Sequence, residues 1–102
     1  MIDALVDNAG DEQQVKEARR KEKYIRKNEL ADVREVLAIP AGRRLLWRLM
    51  KHCKVWESVW HPSALIHYNS GQQDVGHFLL TEISEAQPTA LVDMIIENQK
   101  ET

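Results

Sequence analysis

The seventeen residues from Asp11 to Lys27 constrain this chain most, because they favour helix and yet hold almost nothing to bury. Only Val15, Ala18, Tyr24 and Ile25 are apolar among them. Most other positions carry Glu, Gln, Lys or Arg, which rank close behind Ala as helix formers. Glu17–Lys21 and Glu22–Arg26 are i, i+4 pairs in the favourable order, which supports a helix in water. A helix that is polar all round either projects from its domain or is ordered by a partner. The expectation is a charged N-terminal arm over residues 1–28, partly disordered or helical, ahead of a single helical domain over residues 29–102.

From Leu30 the pattern turns amphipathic, with Leu30, Val33, Val36 and Leu37 recurring at three- and four-residue steps. Ile39-Pro40 ends that helix, since a residue before proline is pushed out of the α region. Pro40 then suits the first position of a helix running to about His52. On it Leu46, Leu49, Met50 and Cys53 share one face, widened by Leu45 and Trp47, while Arg44, Arg48 and Lys51 share another. Between Lys54 and Tyr68, Val55, Trp56, Val59 and Trp60 fit either a continued helix or an extended aromatic segment, His61-Pro62 interrupts both, and Ser63 to Tyr68 fits a short helical turn or a piece of extended chain. Asn69 or Ser70 reads as the N-cap of a helix over residues 71–86, with Val75, Phe78, Leu79, Ile83 and Ala86 facing inward. Gly71 and Gly76 weaken that helix by about 1 kcal/mol each unless close helix contact or the entry turn requires them. Pro88 opens a last helix with Leu91, Met94, Ile95 and Asn98 on its core side. The fold class expected is all-α, a small bundle of four to five helices with the charged helical arm.

A chain of 102 residues has room for one core. Its single cysteine excludes an internal disulfide and points to a reducing compartment. The acidic segment Met1 to Gly10 does not read as a secretory signal, and no apolar run approaches the roughly 18 to 20 residues of a membrane span. The net charge of −2 conceals blocks. Residues 16–27 and 43–54 each carry +5, while residues 1–15 carry −4 and residues 69–102 carry −5. Such asymmetry favours charged partners or self-association of unlike patches.

Catalytic chemistry finds little support. Cys53 with His52, His61, His67 and His77 lacks the paired ligand spacing of a zinc site, and Cys53 falls on an apolar stripe as a small buried hydrophobe. Glu82, Glu85, Asp93 and Glu97 read as solvated helix surface. Gly71 and Gly76 are five apart, but His77 and Phe78 stand where a phosphate loop needs Lys and Ser or Thr. No catalytic residue, metal or cofactor is expected, and the chain is not expected to be an enzyme. Two basic segments remain as candidate contacts with nucleic acid or an acidic partner. One is Arg19, Arg20, Lys23, Arg26 and Lys27, beside Tyr24, which could stack on a base; the other is Arg44, Arg48 and Lys51. Alternation with acids favours a solvated helix for the first of these. Trp47, Trp56 and Trp60 are many for a chain with one phenylalanine, and serve equally as core or as interface anchors. Trp56 and Trp60 are the candidates for a subunit interface.

The run Asp32-Val33-Arg34-Glu35-Val36-Leu37 is followed by Gly42-Arg43-Arg44-Leu45-Leu46-Trp47-Arg48-Leu49 and Cys53. Then come Tyr68-Asn69, Gly71, Gly76, Leu79-Leu80, Ile83, Pro88 and Met94. In this order the stretch from Asp32 to about Glu97, two thirds of the chain, resembles a family of small tailed-bacteriophage proteins. That family was first noted in the virion gene cluster of a short-tailed Bordetella phage. The chain departs from it at Gln72, Gln73 and Asp74, where basic residues are expected between the two glycines. The resemblance implies a structural protein of the virion or its morphogenesis, made in the host bacterial cytoplasm and without an enzymatic site. An internal protein of the portal, core or DNA-ejection apparatus is favoured. Its partners would be further copies of itself and larger virion proteins. The alternative is a nucleic-acid-binding or head-assembly helper of genome packaging, with DNA as partner.

Overall fold

The computed structural model describes the backbone of residues 2–99 and the side chains of residues 10–99. Asp3, Asp7, Lys100 and Glu101, which enter the charge blocks above, have side chains outside that range. Among the described residues four helices follow one another: α1 (Ile2–Ala38), α2 (Pro40–His52), α3 (Leu65–Ala86) and α4 (Ala90–Gln99). There is no strand among the described residues.

Helix α1 passes through Asn28 without a break and is about 55 Å long at 1.5 Å per residue. Its last turns pack on the other helices, with Leu37 buried and Val33 partly so. Residues 10–24 are exposed around the whole circumference. The Cα radius of gyration is 20.4 Å, against about 13 Å for a compact chain of this length.

The breaks have local causes. Ile39, at φ −97° and ψ 120°, takes the extended conformation that Pro40 imposes, and Pro40 starts α2. Helices α1 and α2 then approach so closely that a Cβ on Gly42 would strike the Val36 carbonyl oxygen and lie 2.9 Å from Val36 Cγ1. Helix α2 ends in a Schellman motif. Val55 N–H donates to Met50 O (3.2 Å) and Lys54 N–H to Lys51 O (3.0 Å), with Lys54 left-handed at φ 59°. Val55 also packs on the core that contains Met50. The stretch after Cys53 is therefore a turn followed by irregular chain, neither a continued helix nor a strand.

Helix α3 starts at Leu65, so Asn69 and Ser70 lie within it and cap nothing. Its entry is organised by Ser63, whose Oγ accepts from Leu65 N–H (3.3 Å) and whose N–H donates to His61 Nδ1 (3.2 Å). The inward face also differs from expectation: Val75 and Phe78 are 56% and 61% exposed, while Gly76, Ile83 and Ala86 are buried. Gly76 sets this rotation. A Cβ there would clash with Val55 Cγ2 and lie 2.7 Å from Cys53 Cβ, so the hydrogen face of the glycine is what meets the α2 turn. Gly71 has no such neighbour.

Among the described residues the buried hydrophobic side chains are few: Leu37, Met50, Cys53, Ile83, Ala86, Ala90 and Met94. Leu46, Trp47, Leu79, Leu80 and Leu91 pack around them. Leu45 and Leu49, expected on the buried side of α2, are 50% and 40% exposed. The bundle is a slab only 16 Å deep in Cα positions, which leaves little interior to cover them.

Candidate functional site

Cross-helix polar contacts hold the slab. Arg26 of α1 donates Nη1 to both carboxylate oxygens of Glu82 (2.9 and 2.8 Å) and Nη2 to Glu85 (2.6 Å). The hydrogen bonds to Glu85 and then Glu82 raise the guanidinium pKa still further above its ordinary value, so it stays charged. Arg43 of α2 donates Nη1 to Leu37 O (2.7 Å), capping α1, and Nε to Glu97 of α4 (2.9 Å). Arg34 donates to Ala86 O (3.0 Å) at the end of α3. Glu82, Glu85 and Glu97 are thus ion-paired across helices, which corrects their reading as merely solvated surface.

Gln73 falls where the chain departs from its resemblance. Its Nε2 donates to Lys54 O (2.7 Å) and Glu57 O (2.9 Å), clamping the turn that follows α2. Nothing local points to this role, because its partners are backbone carbonyls sixteen and nineteen residues away.

The sequence-derived site residues separate into groups. Arg26 is committed within the chain to Glu82 and Glu85, with Glu29 at 3.4 Å. Arg19, Arg20, Lys23 and Lys27 lie exposed on α1, and Arg44, Arg48 and Lys51 lie exposed on α2. Neither set is paired with a carboxylate among the described residues. Trp56 is 47% exposed and its ring tilts onto Trp47 with centroids 5.8 Å apart, whereas Trp60 is 71% exposed. Cys53 is buried, and no three His, Cys, Asp or Glu side chains among the described residues form a group able to hold a metal ion. No helix among them is long and apolar enough to cross a membrane.

Two surface features stand out once the helices are in place. Lys16, Arg20, Lys23 and Lys27 follow one another at steps of four, three and four, so they form a straight cationic stripe along the projecting part of α1. On nearly the opposite side of the same helix, its C-terminal half borders a groove of about 310 Å³. Val33, Val36, Leu46, Phe78 and Leu79 line it with apolar surface. Glu29, Asp32 and Glu82 supply its acidic side chains.

Fold and surface together define a small, flat helical bundle that carries a helical spar and much exposed apolar and charged surface. The family model of the Bbp19-like phage protein matches residues 33–95, which span the end of α1 through most of α4. The chain belongs to this family of bacteriophage proteins. Neither the curated proteins nor the solved structures contain a match to it. The cationic stripe on α1 lies ahead of the matched residues.

Proposed function

We propose that this chain is a structural component of a tailed bacteriophage particle that acts by packing against other protein surfaces. A place inside the particle, in a portal, core or DNA-ejection assembly, is favoured because a polar helical arm and a cationic helix suit an assembly that lines or contacts a DNA path. The observation that carries this reading is the mismatch between core and surface. Among the described residues seven side chains are buried as a hydrophobic core, while fifteen large hydrophobics are exposed, among them Trp60, Tyr68, Tyr24 and Phe78 at over 60%. A thin slab with so little interior gains further apolar burial by meeting neighbours. A bare helix such as residues 10–24, polar all round, is of the kind ordered by docking. Membership of the phage family supports the setting.

The test is peptide mass spectrometry of purified mature particles, counted against the major capsid protein. A fixed low copy number, in the range of a closed cyclic ring, is expected. Hundreds of copies would move the protein to the shell, and absence from the particle would overturn the reading in favour of an assembly helper.

A second reading is favoured by Arg44, Arg48 and Lys51, exposed cations with no acidic partner among the described residues. They would grip a phosphate backbone during packaging or ejection. Duplex binding that weakens steeply with salt is then expected, and reversal of these three charges should abolish it.

A further inference from the structure

We propose that the cationic stripe on the projecting half of α1 docks into the acid-rimmed groove of a second copy of the chain, so that copies join head to tail. This names the partner for the oligomeric packing proposed above and rests on that reading. Four observations lead to it. Lys16, Arg20, Lys23 and Lys27 have no carboxylate partner among the described residues, although Glu17 and Glu22 neighbour them in sequence. The groove offers exposed acids on α1, Asp32 and Glu29, the latter also 3.4 Å from Arg26 of its own chain, beside apolar surface that includes Phe78 at 61% exposure. Arg20 and Lys23 are separated by one three-residue step, as are Glu29 and Asp32, so two ion pairs form together when the helices run side by side. Tyr24, 67% exposed and bordering the stripe, brings apolar surface to the groove.

The geometry also decides the symmetry. At about 100° per residue the mean direction of the stripe and that of the groove residues on α1 lie roughly 160° apart around the helix. A chain whose stripe sits in its neighbour's groove therefore presents its own groove away from that neighbour. Two copies related by a two-fold axis cannot use both surfaces on one another. The contact is heterologous, and it closes into a ring of three or more copies when the rotation between neighbours allows. A nucleic-acid occupant of the stripe is less favoured because acids alternate with these cations and the whole chain is negative.

The experiment uses the full chain, followed by sedimentation velocity and native mass spectrometry over a range of concentration and salt. Assemblies of three or more copies are expected at low salt, dissociating as salt rises. Arg20→Glu/Lys23→Glu and Glu29→Lys/Asp32→Lys should each weaken assembly by about tenfold or more, with helicity by circular dichroism unchanged. Mixing these two variants should restore assembly with even copy numbers, because each reversed stripe then meets a reversed groove and each native stripe a native groove. Arg44→Glu/Arg48→Glu should leave assembly intact. A wild-type chain that stays monomeric at every concentration and salt overturns the proposal. So does an assembly indifferent to salt, a two-fold dimer, or failure of the mixture to restore assembly. If the chain is monomeric and a DNA duplex binds it in a manner lost on Arg20→Glu/Lys23→Glu, the stripe belongs to phosphates. Particle counting and solution assembly fail separately: a chain present in virions but monomeric in solution removes this contact and leaves the virion role standing.

Discussion

Arg26 reaches Glu82 across 56 positions of sequence, its Nη1 lying 2.9 and 2.8 Å from the two carboxylate oxygens. Among the described residues Arg26 is the most N-terminal side chain of α1 with an ion pair to α3. Arg26→Gln should lower the thermal midpoint of unfolding. Glu82→Gln should lower it more than Glu85→Gln, because the Glu82 side chain is 16% exposed and that of Glu85 51%. Thermal melts at low and at about 1 M salt would check this, with the differences shrinking at high salt.

The two glycines of α3 should respond oppositely to alanine. Gly76→Ala forces the α2 turn away from α3 and should cost about 1 to 3 kcal/mol of stability. Gly71→Ala meets open space and should add about 0.5 to 1 kcal/mol through helix propensity. Chemical denaturation of both variants gives the comparison.

Lys54 occupies the left-handed position of a Schellman motif, where glycine carries no Cβ penalty. Lys54→Gly should therefore stabilise the protein by about 1 kcal/mol. Gln73→Ala should destabilise it by about 1 to 2 kcal/mol, since two carbonyls of the same turn lose their donor. Equal denaturation midpoints for wild type and both variants would rule out this account of the turn.

Met50 is fully buried and Leu49, its neighbour on α2, is 40% exposed. Met50→Ala should cost about 2 to 5 kcal/mol. Leu49→Ala should cost clearly less in the isolated chain, and any larger effect on particle assembly than on folding would place Leu49 in an interface.

Much of this architecture was legible in the sequence, where local chemistry decides it. The Ile39-Pro40 break, the start of α2 at proline, the burial of Cys53 and the polar arm all follow from residues close together in the chain. What escaped was set at a distance. The rotation of α3 depends on Gly76 meeting Val55 and Cys53, and apolar periodicity alone put Val75 and Phe78 inside instead. The end of α2 carries Lys54 where a glycine would have announced the stop. Arg26 sat among the basic residues of the arm with nothing local to set it apart, its partners lying on a helix more than fifty residues away. Of the surface features, the exposed cations were visible, but the groove forms only when α1, α2 and α3 come together.

The continuity of α1 through Asn28 has an evolutionary consequence. A helix without a hinge fixes the angular setting of everything upstream of the bundle. Inserting one residue near Asn28 would swing the upstream side chains by about 100° and shift them 1.5 Å along the axis. Inserting seven would advance them by roughly 10 Å and almost restore their direction. Homologues that keep the same upstream contacts should thus vary in length there by about a heptad, and single-residue insertions or deletions should be absent.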